Sequence, residues 1–331
     1  MLWLNILLFI VGLVMLIKGG DWFVDGASGI ARRFHLPELL IGATVVSIGT
    51  TLPEVMVSAQ GAMAGSGDMA YGNAIGSIIC NTSLIAAVTI TVKPGKAERK
   101  SLILPVVFFF IAAAFYMVSA YLFGEFSRWV GLVLLAMFVA YITLTLVQMK
   151  RNPAPASEEH LLESETEEHA ENGARALVKE IVFLVLGAVL IAFGANFLVD
   201  NGIAIAEVLG VPQTVIALTF VALGTSLPEL VTAITSLIKG HGALSLGNII
   251  GANLFNLVLV SGVATTISPF KVPSGSTIAG MPASLVMDIP VMLAVMLIMV
   301  VPALIRQKLS RVQGIVLLCI YAAFCTMQFV M

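Results

Sequence analysis

Two glutamates carry the clearest chemical signal in this sequence. Glu54 closes the hexapeptide Gly49-Thr50-Thr51-Leu52-Pro53-Glu54, and Glu229 closes Gly224-Thr225-Ser226-Leu227-Pro228-Glu229; both lie in the middle of long apolar runs. In a bilayer, an acidic side chain at that depth costs about 2.5–3.5 kcal/mol unless it faces a cavity or a partner. No Lys, Arg or His lies in the central part of an apolar run to pair with either one, and two ionised carboxylates sharing one region repel each other. A bound cation is the simplest compensation. The proline before each glutamate adds ligands, because it lacks an N–H and crowds the carbonyl four residues back, that of Gly49 or Gly224. Freed carbonyls, hydroxyls, Asn amide oxygens and carboxylates are hard donors, which suit Ca²⁺, Na⁺ or Mg²⁺ better than zinc or copper. His35, His160, His169 and His241 all fall in expected loops, which further disfavours a transition metal.

A second pair of motifs can reach the same centre. Gly72-Asn73-x-x-Gly76-Ser77-x-x-x-Asn81 places Asn73, Gly76, Ser77 and Asn81 near one helix face, and Asn248, Gly251, Ala252 and Asn256 form the matching face. The glycines permit close helix approach. Each motif also has a plainer reading: the hydroxyls can bond helix carbonyls, and Asn73 and Asn248 can serve packing instead of ligation. Asp25, Asp200 and Asp288 read as interfacial residues near span ends.

The elements that must hold these residues are membrane helices. Of 331 residues, 59% are hydrophobic and 11% charged, against about 25% charged in a soluble domain, and the apolar residues come in blocks of about 20, the length that crosses a bilayer. We count ten spans. Five run over residues 2–24, 39–64, 70–92, 102–122 and 129–149, and five over 181–199, 213–238, 244–267, 284–305 and 312–330. The first apolar run has no basic stretch before it and reads as a retained span. Between the two sets, residues 150–179 hold seven glutamates and two prolines, the composition of a solvated linker. The domains are therefore 1–149, 150–179 and 180–331. A net charge of −2 gives no reason to expect nucleic acid as a partner. Cys80, Cys319 and Cys325 lie in apolar runs and read as small buried hydrophobes.

Sliding the second half of the sequence over the first aligns the two without a gap. Gly12 meets Gly187, Gly19 meets Gly194, Asp25 meets Asp200, Pro37 meets Pro212, Thr44 meets Thr219, Asn81 meets Asn256 and Pro94 meets Pro269, besides the paired motifs. Each half has five spans, an odd number, so the second half must be inverted, a recurring plan of transporters with a midplane site. Every second loop, starting after the first span, holds 14 of the 17 Lys and Arg residues; the alternate loops hold only Arg128 and Lys271, and Lys18 lies within the first span. That bias puts both termini outside and the acidic linker in the cytoplasm.

These paired signatures resemble the sodium/calcium exchangers of the cation/calcium antiporter superfamily, most closely the small prokaryotic members, over essentially the whole chain. The resemblance implies an all-α membrane protein of ten transmembrane helices in two inverted five-helix repeats. It implies a secondary-active antiporter, not an enzyme, that holds Ca²⁺ or several Na⁺ in alternation while helices one and six slide. It maps the ion ligands onto Thr50, Thr51, Glu54, Ser77, Asn81, Thr225, Ser226, Glu229 and Asn256, with backbone carbonyls near Ser47 and Ala222. No cofactor or obligate protein partner is expected, only the bilayer and the transported ions. Thr51 stands where serine is usual, Ile78 and Ala252 replace a frequent Asn and Ser, and Asn256 stands where potassium-dependent members have Asp. A proton-coupled or K⁺-dependent Ca²⁺ exchanger would use the same glutamates, whereas a channel would not need inverted repeats. With Asn at 81 and 256 the site carries −2, so one Ca²⁺ neutralises it and three Na⁺ leave +1.

Overall fold

Inside a bilayer the backbone must satisfy its own polar groups, so the apolar runs fold as helices. The computed structural model describes residues 2–151, 169–209, 224–275 and 277–330. The helices in chain order are α1 Leu2–Arg33, α2 Glu38–Met63, α3 Gly67–Val92, α4 Arg99–Phe123 and α5 Arg128–Arg151, then α6 His169–Val208, α7 Leu227–Ile238, α8 Gly242–Ile267, α9 Ser284–Arg306 and α10 Arg311–Val330. Among the described residues nine of them are long and apolar enough to cross a membrane, and α7 is a shorter apolar helix. The expected first part of its span, including Pro212, Thr219 and Ala222, lies outside the described residues, as does most of the linker.

Two helices run further than the hydropathy suggests. Nothing breaks α1 at Val24, and it continues until His35 turns left-handed (φ 50°) just before Pro37; such a residue followed by proline is a common helix stop. α6 reaches back to His169 and so into the 150–179 stretch, where Ala174, Arg175, Ala176, Leu177 and Lys179 are good helix formers.

The repeat is visible in local geometry. Gly65 (φ 76°) and Gly240 (φ 85°), equivalent positions of the two halves, turn the chain into α3 and α8. Both helices widen into a π-helical segment at the same place, Asn81–Ala86 and Asn256–Val260. The loops repeat too. Ala97 donates its amide to the Gln307 carbonyl (3.0 Å), and Val272, its equivalent in the second half, donates to that of Gly124 (3.0 Å). Gln307 and Gly124 both end their helices in the left-handed conformation. Alongside, Lys96 pairs with Lys308, and strand β1 (Glu125–Phe126) pairs with β2 (Phe270–Lys271), matching Glu125 to Lys271. One clasp thus occurs twice, once at each end of the bundle.

The layers follow from glycine. α1 and α6 run antiparallel in backbone contact: a Cβ on Gly12 would stand 2.8 Å from Leu198 N, one on Gly19 2.9 Å from Ile191 N, and one on Gly187 2.4 Å from Phe23 N. This pair lies on the outside, whereas α8 is 89% buried over its most apolar stretch, against 17% for α1. The larger apolar core is centred on α3, α4, α8 and α9, around Ile79, Phe109, Tyr116, Phe255 and Met296.

Candidate cation site

α2 carries Pro53 inside its helix, and Pro228 lies in the first turn of α7, one residue before Glu229. α2 and α7 pack on each other and on α8, which brings the two signature motifs to the bundle interior. Glu54 and Glu229 are both fully buried, and none of their four carboxylate oxygens has a hydrogen-bond partner. They lie within Coulombic reach of each other. The same condition extends around them. Both amide atoms of Asn81 and of Asn256, the Thr51 hydroxyl and the Ser226 hydroxyl are buried and unpartnered. A buried polar group without a partner costs about 1–3 kcal/mol, and a cation held among these oxygens would offset that cost. Ser47, Thr50 and Ser77 are buried as well, and Thr225 is half-buried. Ala222 lies outside the described residues.

The asparagines of the Gly-Asn motifs position this cluster. Asn73 donates through Nδ2 to the Glu54 carbonyl (3.1 Å) and to Ser58 Oγ (2.8 Å). Asn248 Oδ1 accepts from Thr50 Oγ1 (3.2 Å) and Ser47 Oγ (3.3 Å), while Ser47 also donates to the Asn248 carbonyl (3.0 Å). Asn73 thus braces the motif of its own half, and Asn248 reaches across from the second half to brace the motif of the first. Glycines set the spacing: a Cβ on Gly247 would fall 2.1 Å from the Leu39 carbonyl oxygen, and one on Gly251 2.3 Å from Ser47 Oγ. The sequence alone leaves Asn73 and Asn248 open between ligation and packing; their bonds are those of positioning residues.

Basic side chains stand away from this cluster. Four ion pairs lie towards one end of the bundle: Arg33 with Glu180 (2.8 Å), Lys239 with Asp25 (2.8 Å) and Asp21 (3.4 Å), and His241 with Glu38 (2.7 Å). Asp25, expected to be interfacial, is therefore a partner of the α7–α8 loop. Lys18 is exposed on α1. Among the described residues no group of three or more His, Cys, Asp or Glu side chains is arranged for a metal; the donor set is two carboxylates plus neutral oxygens, which fits a hard cation. Of the three cysteines expected to be buried, Cys80 is, with Tyr321 Oη 3.9 Å from its Sγ, whereas Cys325 is half-buried and Cys319 is exposed on the outer face of α10. Between the motifs and the α1–α6 pair, a cavity of about 10 Å³ is lined by Phe23, Thr50, Pro53, Ala188, Ile191 and Pro228, about the room of one water.

Fold and site together define a multi-pass α-helical membrane protein of inverted-repeat design with an acidic, oxygen-rich centre. The family model described as sodium/calcium exchanger protein matches residues 4–147 and 179–330, and the chain belongs to that family. It is similar to the sodium/calcium exchanger MaX1 of Methanosarcina acetivorans, 32% identical with 99% of each chain covered. It is also similar to the inner membrane protein YrbG of Escherichia coli, 36% identical over 80% of each. Among solved structures, the sodium-calcium exchanger NCX_Mj soaked with 10 mM Na⁺ superposes with a TM-score of 0.79, at 31% identity and 98% coverage of both chains.

Proposed function

We propose that this protein is a secondary-active antiporter that exchanges Na⁺ for Ca²⁺ by alternating access to one site between Glu54 and Glu229. The observation that carries this reading is the pair of fully buried carboxylates with all four oxygens unpartnered, in a family of sodium/calcium exchangers. The ligands are those two glutamates with Thr50, Thr51, Ser77, Asn81, Thr225, Ser226 and Asn256, joined by carbonyls near Ser47 and Ala222. Na⁺ and Ca²⁺ compete for this cavity because each supplies the positive charge that lets the carboxylates remain ionised away from water. The outlying α1–α6 pair, bound to itself through glycine backbones, moves as a unit against the remaining helices and exposes the site to one face at a time. The basic ends, with Arg33, Lys239, Lys96 and Lys308, face the cytoplasm; both termini lie outside.

The test is Ca²⁺ flux in proteoliposomes containing the purified chain. An imposed Na⁺ gradient should drive Ca²⁺ uptake, a pH gradient of equal energy should not, and Glu54→Gln and Glu229→Gln should abolish the Na⁺-driven uptake. Uptake driven only by the pH gradient would instead assign the proton-coupled alternative to the same site.

A further inference from the structure

Below Glu229, α7 carries two more oxygens that the proposed ligand set does not use. Thr232 and Ser236 are both fully buried, and neither hydroxyl has a hydrogen-bond partner. That is unusual for this chain. Helical hydroxyls normally donate to the carbonyl four residues back, as Thr44, Thr82, Ser83, Thr91, Thr145 and Thr266 do here. Thr232 and Ser236 lie three and seven residues after Glu229, on the one face of α7 that is buried. At 1.5 Å rise per residue they stand about 4.5 and about 10.5 Å further along the helix. α7 packs there against α8 and the second half of α3. Past Ser236 a cavity of about 40 Å³, room for two or three waters, is lined by Thr89, Lys93, Lys96, Leu237, Gly242 and Ser245, and so ends among the basic loops.

The repeat makes this arrangement one-sided. The equivalent positions in the first half are Val57, Gly61 and, for Ser245, Ala70. Among the described residues, Thr265 on α8 is a further unpartnered buried hydroxyl of the second half, and its counterpart in the first half is Ile90.

We infer that Thr232 and Ser236 form a transit path of neutral oxygens, along which a partly dehydrated cation passes between Glu229 and the cavity at the basic end. This rests on the reading of Glu229 as an ion ligand. Neutral hydroxyls can replace water ligands for Na⁺ or Ca²⁺ without trapping the ion, because affinity for a divalent cation grows with the number of charged ligands and this stretch has none. The path residues therefore govern how fast an ion reaches or leaves the site and not how firmly it rests there.

The experiment compares equilibrium ⁴⁵Ca²⁺ binding with Na⁺-driven ⁴⁵Ca²⁺ exchange for the full chain, its Thr232→Val/Ser236→Ala double variant, each single variant and Thr232→Ser. The double variant should bind Ca²⁺ within about twofold of the parent and exchange it at least fivefold more slowly, and Thr232→Ser should restore the rate. Unchanged exchange would overturn the proposal, and so would a loss of affinity in proportion to the loss of rate. If the double variant does not fold, the single variants carry the same comparison. Glu229→Gln run in parallel separates the two readings: if it binds and exchanges Ca²⁺ normally, it is the ligand assignment that fails.

Discussion

Asn81 and Asn256 hold the same place in the two repeats: each is the first residue of a π-helical segment, each is fully buried, and each leaves both atoms of its amide unpartnered. A π-segment is a wide turn, frequent at functional sites. Its appearance at equivalent residues of α3 and α8 means that the two halves share one local distortion, and the proposed site would draw on it twice.

Replacing either asparagine should weaken Ca²⁺ binding by similar, modest factors. A neutral polar contact contributes about 0.5–1.5 kcal/mol, so Asn81→Ala and Asn256→Ala should each lower affinity by about 2- to 12-fold, measured as ⁴⁵Ca²⁺ binding to purified protein. Loss at one position and none at the other would show that the two halves do not contribute equally.

Neutralising a carboxylate should cost more. Contacts to charged groups contribute about 1.5–3 kcal/mol, which places Glu54→Gln and Glu229→Gln at about 10- to 150-fold weaker Ca²⁺ binding. Both variants should fold, because in the apo chain a neutral amide is easier to bury than an unpaired carboxylate; thermal unfolding without Ca²⁺ should show no loss of stability in either.

Exchange should carry current. If three Na⁺ replace one Ca²⁺ at a site of charge −2, one net positive charge crosses per cycle, and each 100 mV shifts the balance by about 2.3 kcal/mol. Clamping the proteoliposome potential with K⁺ and valinomycin should therefore move the Na⁺ concentration at which Ca²⁺ flux reverses; a reversal point independent of potential would indicate electroneutral exchange. Asn256→Asp makes the empty site −3 and should strengthen Na⁺ binding several-fold, read as a lower Na⁺ concentration for half-maximal exchange.

The glycine contacts should tolerate no side chain. Gly247→Ala places a Cβ 2.1 Å from the Leu39 carbonyl oxygen and must push α2 and α8 apart. Overpacking of this kind costs about 1–3 kcal/mol and would displace Asn248 from Ser47 and Thr50, so both thermal stability and Ca²⁺ affinity should fall. Gly19→Ala, at the α1–α6 contact and away from the ligands, should lower stability while leaving affinity near that of the parent.

Much of this is legible from the sequence because hydrocarbon leaves the backbone few choices. Apolar blocks become helices, the gapless match of the two halves exposes the repeat, and an odd span count forces its inversion. Glu54 and Glu229 stand out because a charged residue amid Leu, Val and Ile needs a reason. What stays hidden depends on side-chain direction. Asn73 and Asn248 share a motif, yet one braces the Glu54 carbonyl and the other accepts from Ser47 and Thr50. Thr232 and Ser236 look like ordinary helical hydroxyls, and only their missing partners set them apart; their spacing of three and seven from Glu229 is the signal available. The extension of α1 to Arg33 escapes the sequence reading because hydropathy marks where a helix leaves the apolar layer, not where it stops.

The central claim is that one cavity holds Ca²⁺ and Na⁺ in turn between Glu54 and Glu229. Equilibrium ⁴⁵Ca²⁺ binding to the purified chain, titrated with NaCl against choline chloride at constant ionic strength, tests it most directly. One Ca²⁺ per chain should bind and be displaced by Na⁺ with a Hill coefficient above 1, and the Glu54→Gln/Glu229→Gln double variant should bind none. Ca²⁺ that remains bound at saturating Na⁺, or that binds the double variant normally, would contradict it.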